Sequence, residues 1–308
     1  MKKKIIITGA TGLIGSRLSR ALITKGYEVI IFTRRKRANK SGITSKINFV
    51  EWDFYKPVTW QTYLDNCYAV IHLAGASIAG KRFTESYKKK VIDSRILSTG
   101  KIVEAMASVK NRPLVFLCAS GVNFYGDRGN DILTESTSPG NDFLANVCKS
   151  WEGEASKAEA LGIRRVSVRT SPVLSIEGGV LKQIIPLFRF YLGASLGNGN
   201  QWFPWIHVDD IVNIYLFALE NEIVSGSVNA ASPHSVTMNE FAVILGEVLH
   251  RPSFFKVPKY VLRAAIGEAA DFITASLKVI PQKLEEAGFQ FNFPLLRPAL
   301  EDVIKYKK

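Results

Sequence analysis

Long apolar runs and closely spaced cysteines are both missing from this sequence, and each absence argues against a class of protein. No stretch of the 308 residues approaches the roughly 20 uninterrupted apolar positions needed to cross a bilayer. The most apolar segment, residues 261–273, is broken by Arg263, Glu268 and Asp271, which suits an amphipathic helix instead. The three cysteines, Cys67, Cys118 and Cys148, are odd in number and widely spaced. That argues against a disulfide framework and a zinc site, reads each thiol as a small buried hydrophobe, and fits a reducing, cytoplasmic compartment. The four histidines show no HxxxH or HExxH spacing, so no metal is expected. Acidic residues are also in short supply, 27 against 40 lysines and arginines, for a formal net charge of +13. The basic residues are dispersed apart from residues 1–4, 34–37 and 88–90, without an RNP, zinc-finger or basic-region pattern. Neither nucleic acid nor a membrane is the expected partner, and a basic surface favours anionic small molecules.

What is present begins with the opening run, MKKKIIITGATGLIG. Three lysines before an apolar stretch resemble the start of a secretory signal, but the apolar run stops at Thr8 and Gly9, too short for a signal core. Leu13, Ile14, Leu18, Leu22 and Ile23 then recur at helical spacing, so the segment reads as strand, turn and helix. Within the turn, Gly9, Gly12 and Gly15 form G-x-x-G-x-x-G around Thr11, Leu13 and Ile14. In such a turn the first glycine permits the bend, the second admits a pyrophosphate, and the third lets helix and sheet pack closely. A second strand over 28–32 completes a βαβ unit, and dinucleotide binding is the reading, against a purely structural turn. That strand ends at Thr33, Arg34 and Arg35, where an acidic residue selects NAD and an arginine accommodates a 2′-phosphate. The arginines favour NADP(H) over NAD; a solvated basic loop is the plain alternative.

Further strands are expected over 47–52, 69–73, 114–119 and 165–169, with helical stretches between them. Strand and helix alternate to about residue 170, which gives an α/β fold with a Rossmann-type, doubly wound parallel sheet. Residues 1–170, completed by roughly 199–229, are expected to form the cofactor domain. Residues 171–198 and 230–308 are expected to form a smaller, mainly helical substrate-side domain. Residues 205–211 read as a short strand entering a helix capped by Asp209.

The GATGLIG turn, the HLAGA strand end, Asp53 and the ASGVNFYG segment resemble the extended short-chain dehydrogenase/reductase family of NAD(P)-dependent epimerases and dehydratases. HLAGASIAGKRFTES, SRILST, FLANVCKSWEGEA, QWFPWIHVDDI and SLKVIPQKLEEAGFQF are similar to its branch called epimerase family proteins, some described as cell-division inhibitors. The resemblance implies that Asp53 sits by the adenine and that Leu73, Ala74 and Gly75 line the middle of the cofactor. It also implies a catalytic Tyr-x-x-x-Lys pair on one helix face, with a serine orienting the substrate. Ser120 fits the serine, but the tyrosine is missing. If Lys149 is the lysine, Ala145 takes the tyrosine's place; anchoring on Glu152 instead puts Cys148 and Leu144 in the two positions. Arg95 stands where the preceding helix usually carries asparagine.

Tyr125, near Ser120, is the candidate replacement proton donor, with a half-buried loop aromatic as the plain reading. Arg82 is a candidate to hold an acidic substrate group, and Gln201, Trp202 and Trp205 are candidates for a substrate wall. His207 is a catalytic base or, more simply, a structural hydrogen bond between domains. Together these readings describe an NADP(H)-dependent oxidoreductase or epimerase-like enzyme of a small anionic substrate. The alternative is an NADPH-binding sensor or regulator, with a protein partner and little turnover.

Overall fold

The computed structural model describes residues 2–34, 47–56, 60–78 and 82–305. Its centre is a seven-stranded parallel sheet built from β1 (Lys4–Thr8), β2 (Glu28–Thr33), β3 (Ile47–Glu51), β4 (Ala69–His72), β5 (Val115–Gly121), β6 (Arg164–Thr170) and β7 (Gly226–Ala230). The spatial order is β7-β6-β5-β4-β1-β2-β3, and every pairing is parallel. Ile5, Ile6 and Ile7 are wholly buried, as expected where a strand is covered on both faces and its sequence is apolar without alternation. The chain reverses direction across the sheet between β1 and β4, which opens a crevice at their carboxyl ends.

Helix α1 (Leu13–Thr24) places Leu18 and Leu22 on one sheet face. The opposite face is covered by α3 (Ser98–Ser108) and α4 (Phe143–Ser156), which bury Ile102, Met106, Trp151 and Ala155. Between α2 (Glu85–Ile92) and α3 lies a π-helical turn, Asp93–Leu97. Ser98 and Thr99 donate their hydroxyls to the carbonyls of Ser94 and Arg95, satisfying acceptors at this wide turn.

Past β6, α5 (Gly179–Arg189), α6 (Val208–Glu220), α7 (Met238–Leu249) and the final helix, Leu296–Lys305, dominate. Helix α6 returns to the sheet beside α1, while α5, α7 and the final helix enclose their own apolar cluster around Trp205. Strand β7, although late in the chain, closes the edge of the main sheet against β6. Two local expectations change. Residues 261–273 are not one helix but parts of two, Lys259–Ile266 and Ala269–Ile273, because Gly267 between them adopts a φ of +67° that ends the first. Helix α6 is capped by His207, whose Nδ1 accepts from the Asp209 N–H at 3.1 Å, so Asp209 lies in the first turn and not at the cap.

A buried polar network joins α4 to the sheet. Glu152 accepts from Arg169 Nε at 2.8 Å and Nη2 at 2.9 Å, and from the hydroxyls of Ser120 and Ser227, each at 2.7 Å. Removing one partner of such a pair leaves an uncompensated buried charge, so Glu152→Ala should lower unfolding stability by about 3–5 kcal/mol. Urea unfolding measures this, and a loss below about 1 kcal/mol would show that the pair contributes no more than a surface contact.

Candidate functional site

The glycine turn occupies the crevice between β1 and β4. Gly9 has a φ of +69°, and a Cβ there would lie 2.6 Å from the Leu73 carbonyl carbon and 2.8 Å from the Ala74 nitrogen. Gly15 is equally constrained, since its Cβ would meet the Gly9 carbonyl oxygen at 2.5 Å. Gly12 stands at the N-cap of α1, which has no side-chain cap and no acidic residue in its first turn. The N–H groups and positive dipole end of this helix are therefore left for a ligand anion, the arrangement that suits a pyrophosphate.

A cavity of about 780 Å³ opens from this turn. Of the expected cofactor residues, Gly9, Thr11, Gly12, Thr33, Arg34, Asp53, Leu73, Ala74 and Gly75 line it. Gly15 is buried against Gly9, Leu13 packs toward the C-terminal helical cluster, and Ile14 packs on the sheet. Arg35 lies outside the described residues. Arg34 is exposed at the exit of β2, while Asp53 accepts the Tyr55 N–H in a tight turn. Several lining residues were not anticipated: Tyr55 on one side, and Tyr87, Lys89, Lys90 and Ser94 from α2 and the π turn. The basic run at 88–90 was their one sequence signal.

The segment after β4 is held from both sides. Tyr87 donates its hydroxyl to the Ser77 carbonyl, Ser94 Oγ accepts from Ala76 N–H, and Arg95 Nη2 donates to the Ala76 carbonyl at 2.9 Å. Beneath it, Thr8 Oγ1 lies 2.6 Å from His72 Nδ1 and also accepts from Ala74 N–H. His72 Nε2 lies 3.1 Å from Ser98 Oγ, so a neutral imidazole has both nitrogens satisfied. Burial, and secondarily the Arg95 charge, pushes the His72 pKa down to about 3.

A second, smaller cavity of about 200 Å³ is lined by Ser120, Gly121, Asn123, Cys148, Arg95 and an apolar wall that includes Leu144 and Trp151. Helix α4 thus turns the Leu144–Cys148 register to Ser120, and Lys149 points to solvent. Burial pushes the Cys148 thiol up to about 12, so it stays protonated at neutral pH. Tyr125 is not brought to this cavity. It is fully buried, its hydroxyl donates to Asn229 Oδ1 at 2.6 Å and accepts from Arg169 Nη1 at 2.9 Å. Burial raises its pKa to about 12.

The expected substrate residues also sit apart. Trp205 is fully buried, with its indole N–H on the His234 carbonyl, and Gln201 donates to the Leu196 carbonyl. Trp202 donates to Asn130 Oδ1. Arg82 is exposed and donates to the carbonyls of Ala264 and Ala265. His207 Nε2 lies 3.2 Å from Asp302, joining α6 to the final helix.

Residues 5–231 match the model of the NAD dependent epimerase/dehydratase family, and residues 257–303 match that of a domain of unknown function, DUF1731. An Arabidopsis thaliana protein, the chloroplastic SDR39U1 homolog of the epimerase family proteins, is 35% identical over 98% of this chain and 86% of its own. Epimerase family protein SH2119 of Staphylococcus haemolyticus is 36% identical over 98% of this chain and 99% of its own. Among solved structures, human epimerase family protein SDR39U1 with NADPH is similar with a TM-score of 0.87 and 29% identity, covering 98% of this chain and 99% of that one. The UDP-N-acetylglucosamine 4-epimerase of Methanobrevibacter ruminantium, in complex with UDP-N-acetylmuramic acid, shares the fold at a TM-score of 0.79 and 23% identity, covering 99% and 98%.

The His72 geometry gives a pH dependence whose sign is fixed. The unfolded chain binds a proton at His72 near the ordinary value of about 6.5, and the folded chain resists it until about 3. The stabilising contribution is complete above about pH 6.5 and is lost progressively as pH falls toward 3, at about 1.4 kcal/mol per pH unit. His72→Gln should flatten the fall in urea-unfolding stability between about pH 6 and 4 relative to the unmodified protein. Identical slopes would show that His72 takes up its proton in the folded state.

Proposed function

The chain belongs to the NAD dependent epimerase/dehydratase family, and from that premise we propose that it is an NADP(H)-dependent oxidoreductase or epimerase-like enzyme acting in the cytoplasm on a small anionic substrate. The observation carrying this reading is the uncapped N-terminus of α1 opening on a cavity that also holds Arg34. The α1 N–H groups receive the pyrophosphate, and Arg34 meets the 2′-phosphate as a charge-assisted hydrogen-bond donor. NADPH in the human relative supports the same preference. When bound, the nicotinamide ring supplies or accepts a hydride at C4. Leu73, Ala74 and Gly75 flank the dinucleotide, and the helical cluster of α5, α7 and the final helix forms the substrate side.

Ser120 is the retained catalytic candidate, because it lines the small cavity while Lys149 and Tyr125 do not. Its proton is directed at Glu152, so its oxygen presents lone pairs and orients a substrate hydroxyl by accepting from it. A second reading, an NADPH-binding regulator with little turnover, is favoured by the Leu144–Cys148 face, where neither side chain exchanges a proton readily near neutral pH.

Fluorescence titration with NADPH and NADH separates these claims. NADPH should bind more tightly, and Arg34→Ala should weaken NADPH by about 10- to 100-fold while leaving NADH little changed. Equal losses for both would remove Arg34 from 2′-phosphate recognition, and absence of binding would remove the cofactor reading. Tight NADPH binding without oxidation by a panel of carbonyl compounds and sugar nucleotides would favour the regulator.

A further inference from the structure

Two arginines inside the fold have an evident reason for their position. Arg169 is paired bidentately with Glu152. Arg164 donates to the carbonyls of Ala218, Leu219 and Val224 around the carboxyl end of α6, where a cation complements the helix dipole. Arg95 is different. Its guanidinium donates to the carbonyls of Val91 and Ala76, and its Cζ lies 5.1 Å from the Trp151 ring centroid. Among the described residues no carboxylate comes within ion-pair distance of it. Burial pushes its pKa down. Arg95 is partly buried, and its five N–H donors are more than two carbonyls use.

The place where this charge is held is specific. The π turn carries Arg95 beneath Gly75, where an added Cβ would lie 3.2 Å from its Cζ. The same side chain lines the smaller cavity beside Ser120, Asn123 and Cys148. The lining also includes Ile78, Leu144, Val147 and Trp151. The cavity therefore offers a cation, the hydroxyl oxygens of Ser120 and Thr170 whose protons are directed elsewhere, and an apolar wall. Those features match a compact organic acid that has a hydroxyl near its carboxylate.

We infer that Arg95 is the anion-binding residue of the substrate cleft, taking a substrate carboxylate directly while Ser120 accepts from a neighbouring hydroxyl. This rests on the reading of the cleft as a substrate site and assigns the substrate class. The substrate carboxylate supplies the counter-charge that no described residue gives Arg95.

The test uses benzoate and its neutral isostere benzamide as probes, titrated calorimetrically into the full chain with and without NADPH. The ratio of their affinities on one protein is independent of the fraction of it that is folded, and an unfolded variant is recognised by its loss of binding to both probes. The unmodified protein should prefer benzoate by about tenfold or more, the size of one charge-assisted contact. Arg95→Gln should bring the ratio close to one, and Arg95→Lys should restore part of it. A ratio near one in the unmodified protein, absence of benzoate binding, or a preference that survives in Arg95→Gln overturns the assignment. Failure of NADPH to bind would overturn the cofactor reading alone, because the ratio without NADPH still decides the role of Arg95.

Discussion

Glu152 accepts four hydrogen bonds in a buried position, and much of the cleft's geometry follows from satisfying it. Arg169 reaches it from β6, Ser227 from β7 and Ser120 from β5, so one carboxylate fixes the rotation of α4 against three strands. Arg169 extends the network to Tyr125, and Tyr125 to Asn229, whose amide donates to the carbonyls of Leu133 and Ile280. A buried pair of this kind adds little net stability over an apolar replacement, but its unsatisfied alternatives are costly enough to select one register. The orientation of Ser120 is thus set from behind, by the interior.

That same network explains where sequence reading succeeded and where it stopped. The glycine turn was legible because the spacing of Gly9, Gly12 and Gly15 inside one βαβ unit encodes it, although Gly9 itself packs on Leu73 far along the chain. The parallel sheet was legible because strands buried on both faces are written as apolar runs. The rotation of α4 was not, since both candidate registers satisfy one-turn spacing and the choice rests on Arg169 and Ser227, far along the chain. Tyr125 misled for a related reason. Proximity to Ser120 in sequence suggested a shared cleft, but the turn Val122–Tyr125 directs its ring inward to Asn229, 104 residues away. The tryptophan at 205 reads as part of a substrate wall, yet the helical cluster closes over it completely.

The two cavities differ in what lines them. The larger one combines the glycine turn and helix terminus with side chains from β2, β3 and α2. The smaller one is framed by side chains from α4, β5 and the π turn, where replacing one residue changes its chemistry. Arg95 connects them, touching the Ala76 carbonyl on the border of the first and lining the second.

The π turn that carries Arg95 also makes this stretch of chain sensitive to length. Each residue advances a helix by about 100°, so the turn sets the phase in which α3 begins. Ser98 must meet His72, and Thr99 must accept the Trp151 indole N–H at 2.8 Å. Loss of a single residue between 93 and 97 would straighten the helix and swing both hydroxyls off their partners. Surface helices of this size commonly absorb substitutions with ease. Here the number of residues itself sets the contacts behind the crevice, and a one-residue deletion would reach His72 and Trp151 even where the residue lost lines neither cavity.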